Sequence, residues 1–197
     1  MTSFKTLQLR RVSSSVETFY VEQGDPYATG YSIKVRNSTN FLNKPDLVIT
    51  REQNHLSTKV GEGRFEKYSA VTTLKYPESG VAQDLQLESH QSQRFAVNVN
   101  GKPCWWWQPF KVRKYRAEMV TTSNRLLAEF TYSGEHTFMG RDVTHGAILG
   151  TLEVGEEAFE QGVLDQVVCI TVVLVERAKR RRSILKGADG GAPVVMG

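Results

Sequence analysis

Residues 105 to 116 read WWWQPFKVRKYR, and they hold every tryptophan of the chain. On a strand, side chains alternate, so Lys111 and Arg113 project from one face, where an ammonium and a guanidinium can grip one phosphate between them. Lys114 and Arg116 point the other way with Val112. An anion site is the chemistry these residues could do, and a solvated strand that resists edge pairing through its charges is the plainer alternative. Trp105 and Trp107 share a face and Trp106 takes the other. Either one or two of them pack in a core, or at least one stands exposed as a membrane-interface or ligand-stacking residue.

A second basic cluster, RAKRRR, contains Lys179, Arg180, Arg181 and Arg182 and follows directly on an apolar run. Such a cluster can cap a helix C-terminus, dock on an anionic membrane surface, or serve as a nuclear-localisation or nucleic-acid patch. Nucleic acid is the weakest partner of these, because only the distant tryptophans could supply stacking rings beside the charges. The formal net charge of +4 turns negative once the bases of 111–116 and 177–186 are set aside. Basic character is therefore local, where an anionic partner would feel it.

Little in the chain spells a reaction. It has no G-x-S-x-G, H-E-x-x-H, P-loop or dinucleotide fingerprint. His55, His90, His136 and His145 are far apart and read as loop or surface residues. Asp25-Pro26, Pro45-Asp46 and Glu156-Glu157 read as turn chemistry. Cys104 and Cys169 form no C-x-x-C pair and suit a reduced intracellular protein. No catalytic residue, metal ligand or cofactor is assigned.

The elements that would position these residues are mostly short strands. The 197 residues are 40% apolar and 23% charged, in the range of one soluble domain with a sizeable core. From residue 16 to 155, strand-like segments alternate with turn residues, a spacing that points to an all-β barrel or sandwich. Asn100-Gly101 suits a type I′ hairpin turn, in which both central residues need positive φ. Bases on both faces of 111–116 place that strand at a barrel end, or mark a break of register near Pro109. Residues 1–15 are expected to be a flexible, basic N-terminus.

LDQVVCITVVLVERAKRRR is different. Its nine apolar or small residues from Val167 to Val175 are far fewer than the roughly 20 needed to span a bilayer. The β-branched content suits a buried strand; an N-cap at Asp165 and the basic finish suit a helix. In either form, a segment apolar all round must be enclosed by protein. Residues 184–197 read as a flexible tail.

Taken together, the short strands, the Trp-basic segment, LLAEFTY, GTLEV and the terminal LDQVVCITVVLVERAKRRR resemble an uncharacterised fungal family of the tubby C-terminal-like superfamily. Its relatives include the LURP-one-related proteins and the phospholipid scramblases. The resemblance covers residues 16–183 and is strongest over 104–182. It implies a closed antiparallel barrel of about twelve strands around one central hydrophobic helix, here about residues 163–180. It also implies phosphoinositide binding through a Lys-x-Arg pair, which Lys111-Val112-Arg113 matches in spelling. The scramblases' membrane-spanning or palmitoylated segment has no counterpart here. The expected function is a non-enzymatic, cytoplasmic or peripheral-membrane module for anionic headgroups, using Lys111, Arg113, Lys114, Arg116 and Lys179 to Arg182. The alternatives are a protein-interaction scaffold that binds no lipid, and a barrel holding a small apolar ligand or a hydrolytic site.

Overall fold

The computed structural model describes residues 4–13, 18–23, 30–36, 45–53, 55–65, 71–89, 94–107, 116–132 and 148–188. Its strands are β1 (Phe4–Ser13), β2 (Thr18–Gln23), β3 (Gly30–Val35), β4 (Leu47–Gln53), β5 (Leu56–Phe65) and β6 (Val71–Lys75), then β7 (Ala82–Ser89), β8 (Arg94–Val99), β9 (Lys102–Trp107), β10 (Arg116–Thr121), β11 (Leu126–Tyr132) and β12 (Ile148–Gly155). Among the described residues, one α-helix, α1 (Gln161–Ala188), follows a short 3-10 turn at Glu156–Ala158. The mainly β architecture with a single C-terminal helix is the one expected.

Each strand pairs antiparallel with its neighbour in sequence, and β1 also pairs with β12, so the ladders form a closed barrel. This places residues 4–13, expected as a flexible N-terminus, in the wall. Leu7 and Leu9 are buried, whereas Lys5, Thr6, Gln8 and Arg10 are not, a period of two with its apolar face inward. The apolar run chooses helix over strand for a matching reason. From Val163 to Leu174 only Gln166 is not buried, and a helix apolar on every side is stable only where a wall surrounds it.

The helix and the wall fit through glycine. Gly61 and Gly63 on β5 face α1, and a Cβ added to them would lie 2.6 Å from the Sγ of Cys169 and 3.1 Å from Val173 Cγ2. Two residues along a strand advance about 6.6 Å and four along a helix about 6 Å, so the glycine pair matches the Cys169–Val173 spacing. Close approach thus extends along the contact. The turns behave as their residues demand: Asn100 and Gly101 take φ of 50° and 74°, and His55 and Asn124 take 64° and 60°. His55 closes the β4–β5 hairpin inside LVITREQNHLSTKVGEG, a segment the sequence does not punctuate with glycine or proline at that point.

Among the described residues, a buried hydroxyl is left over. The Thr171 hydroxyl on α1 has no hydrogen-bond partner and borders a small apolar cavity with Leu9, Phe130, Leu152, Val168 and Val172. Burying a hydroxyl without compensation costs about 1–3 kcal/mol. Thr171→Val is therefore expected to stabilise the fold by about 1 kcal/mol, read as a higher urea midpoint at unchanged slope.

Candidate functional site

The barrel has two unlike ends, set by strand direction. The turns joining β4 to β5, β6 to β7, β8 to β9 and β10 to β11 lie at the end where α1 begins. The links between β5 and β6, β7 and β8, β9 and β10, and β11 and β12 leave from the other end. Side-chain contacts confirm the helix direction: Asp165 meets Tyr31 and Arg51 near the first end, and Arg177 meets Thr72 and Phe95 near the second.

At the first end, Asp165 is a buried carboxylate. It accepts hydrogen bonds from the Tyr31 hydroxyl at 2.7 Å and from the Arg51 guanidinium, which also lies 3.9 Å from the exposed Glu78. The expected N-cap role is thus corrected. The helix starts at Gln161, the carbonyl of Glu160 accepts the amides of Val163 and Leu164, and Asp165 lies inside the helix facing the barrel interior. Nothing in the local sequence signals this, because its partners are 134 and 114 residues away. The next residue, Gln166, accepts the backbone amide of Asn100 at 2.6 Å and ties the helix to the β8–β9 turn. The arrangement is a latch for α1, with its charges already matched.

Cys169, one turn further along, is fully buried, as is Cys104 on β9. Burial first, and then the Asp165 carboxylate, push the Cys169 thiol well up. Burial also raises Cys104, although the Val99 backbone and the Lys102 charge pull it back in part. Tyr76 is raised too, mainly by burial, with the hydrogen bond from Gln83 opposing. A group that holds its proton more tightly when folded stabilises the fold at low pH and loses that contribution as pH rises. The urea midpoint is therefore expected to stay level up to the ordinary thiol value of 9.0 and to fall above it, with Cys169→Ala softening the onset. In native protein at pH 8, both thiols should resist an aromatic disulfide reagent until denaturant is added.

The second end carries Trp107 and Arg116, two of the residues that the sequence singled out. On β9, Trp106 is buried with relative exposure of 2%, whereas Trp107, the last residue of the strand, is 40% exposed. Trp105, on the same outer face, lies under the Arg94 guanidinium at 3.9 Å, and that guanidinium faces Glu88 at 3.5 Å. The tryptophans thus divide as strand alternation requires. Arg116, the first residue of β10, ion-pairs with Glu129 and with Glu118 at 3.1 Å, so its charge is largely offset in place.

Lys111, Arg113 and Lys114 lie outside the described residues; the strands on either side of them end at Trp107 and begin again at Arg116. Lys179, Arg180, Arg181 and Arg182 belong to α1, which continues to Ala188, so the helix exceeds the expected 163–180 and includes the first residues of the expected tail. Residues 189–197 of that tail fall outside the described residues. Glu176 is buried and Arg177 and Ala178 are half-buried, and the helix runs on for about 16 Å from Arg177 to Ala188, at 1.5 Å per residue.

Among the described residues, no cluster of histidine, cysteine and carboxylate could hold a metal, and no helix is long and apolar enough to cross a membrane. Compared with family models, curated proteins and solved structures, the chain has no significant match.

Proposed function

We propose that this protein is a non-enzymatic binding module for anionic phospholipid or phosphoinositide headgroups, of the tubby-like kind that its sequence resembles. The observation that carries the reading is a coincidence of placement. Trp107 and Arg116, which flank residues 108–115 in sequence, both lie at the rim toward which α1 runs. The basic stretch of α1 runs on from the same end. The residues that flank one basic segment thus share a pole of the barrel with the helix that carries the other.

In this mechanism Lys111, Arg113 and Lys114 hydrogen-bond headgroup phosphates, and Lys179 to Arg182 add attraction of about 1 kcal/mol per residue near the surface. Salt weakens the binding steeply. The test is co-sedimentation with vesicles graded in anionic and phosphoinositide content, at low and physiological salt. Lys111→Ala/Arg113→Ala should abolish any headgroup preference, whereas replacing Lys179 to Arg182 by glutamine should reduce binding to all anionic vesicles alike. No sedimentation of the wild type at either salt concentration would end the lipid reading.

A scaffold function has its own foothold at the opposite end, where Leu56 and Val81 are 72% and 55% exposed beside turns. Dimers on sizing that dissociate in Leu56→Ser/Val81→Ser would favour it. The apolar-ligand alternative is the poorer one, since α1 occupies the interior that such a ligand needs.

A further inference from the structure

We infer that the protein stands end-on on an anionic bilayer, with the rim where β8 starts and β9 ends, formed by Trp107, Trp105 and Arg94, at headgroup level and the axis of α1 steep to the membrane plane. This orientation rests on the lipid-binding reading and adds a defined contact to it.

Three observations carry it. The first is charge layout along the barrel axis. The pole where α1 begins is near balance among the described residues, with Glu52, Glu78, Glu156, Glu157 and Glu160 against Lys5, Arg51, Lys75, Lys102 and Arg125, while the basic stretch that ends α1 runs on from the other pole. A negative surface potential turns such a molecule basic pole first.

The second is the wall. Glu118, Glu129 and Glu153 stand directly opposite one another across β10, β11 and β12. Arg116 offsets only the first two. A bilayer meeting this side would face a row of carboxylates, and the inner face, not the outer, is the apolar one, the reverse of a membrane-spanning barrel. Side-on contact there is repelled.

The third is the position of the exposed aromatic. Among the described residues, four large apolar side chains are exposed, and Leu56, Val81 and Leu126 all belong to the opposite pole. Trp107 is the one at the basic pole. A tryptophan at a rim, with an arginine stacked on its neighbour Trp105, has the composition of a membrane-interface anchor.

The experiment uses the full chain with phosphatidylcholine vesicles containing phosphatidylserine, made with or without bromine on the acyl chains. Sedimentation and tryptophan emission are read from the same samples. Wild-type emission should shift to the blue and be quenched by brominated lipid, and Trp107→Phe should sediment yet lose most of that quenching. A polarity-sensitive dye on Ser79→Cys, an exposed position in the β6–β7 turn at the far pole, should keep its aqueous emission; the native thiols are buried and leave the label selective. Sedimentation without quenching, quenching that survives Trp107→Phe, or a dye response at Ser79→Cys would overturn the orientation and leave lipid binding intact. Absence of sedimentation would overturn both.

Discussion

Replacing Asp165 with alanine is expected to lower the unfolding free energy by about 3 kcal/mol, the lower end of the range for breaking a buried ion pair. The carboxylate is buried and receives both the Tyr31 hydroxyl and the Arg51 guanidinium. Without it, Arg51 remains mostly enclosed, at 18% side-chain exposure, with the solvent-exposed Glu78 at 3.9 Å as a weak substitute. That substitute is why the lower end is chosen. Urea unfolding of Asp165→Ala measures the loss. The apolar pair Arg51→Met/Asp165→Leu should be markedly less destabilised than Asp165→Ala, because most of the cost is an abandoned buried charge. Equal losses in the two variants would mean that packing of α1, and not the ion pair, sets the effect.

The second large effect is expected at Gly61. A methyl group there would lie 2.6 Å from the Cys169 Sγ, well inside contact distance, so Gly61→Ala must displace the thiol or push the helix from β5. Overpacking of this kind costs about 1–3 kcal/mol. Cys169→Ala alone leaves a small void and costs about 1 kcal/mol. In the double variant the new methyl fills the space the sulfur leaves, so its loss should fall short of the sum of the single losses by at least about 1 kcal/mol. Additive losses would show that the clash is relieved elsewhere in the wall.

Both variants probe the seating of α1, and that seating is where reading from sequence falls short. An all-round apolar run demands enclosure, but Val167 to Val175 is β-branched enough to be a buried strand, and the local residues do not choose. The wall chooses. Once β1 pairs with both β12 and β2, the interior is ringed by backbone whose hydrogen bonds are already satisfied, and an inserted segment must satisfy its own, as a helix does. Asp165 illustrates the same limit. Its spacing before an apolar run is that of an N-cap, and only the arrival of Tyr31 and Arg51 from the wall makes it an interior partner. The glycines of β5 carry no signal either until Cys169 and Val173 are seen opposite them.

For the candidate site the division is similar. Strand alternation by itself separated Trp106 from Trp105 and Trp107, and the Asn-Gly turn was readable because positive φ is a demand of single residues. Composition by itself showed that the basic charge is local and held in two segments. What only the tertiary structure decided is that Trp107 and Arg116, which flank the first of these segments in sequence, lie at the pole of the barrel from which the basic stretch of α1 runs on. The physical reason is direction: the number of strand reversals before the helix determines at which end it enters. Sequence pattern fixes the faces of each element, whereas pairing and entry direction are collective properties of the whole chain.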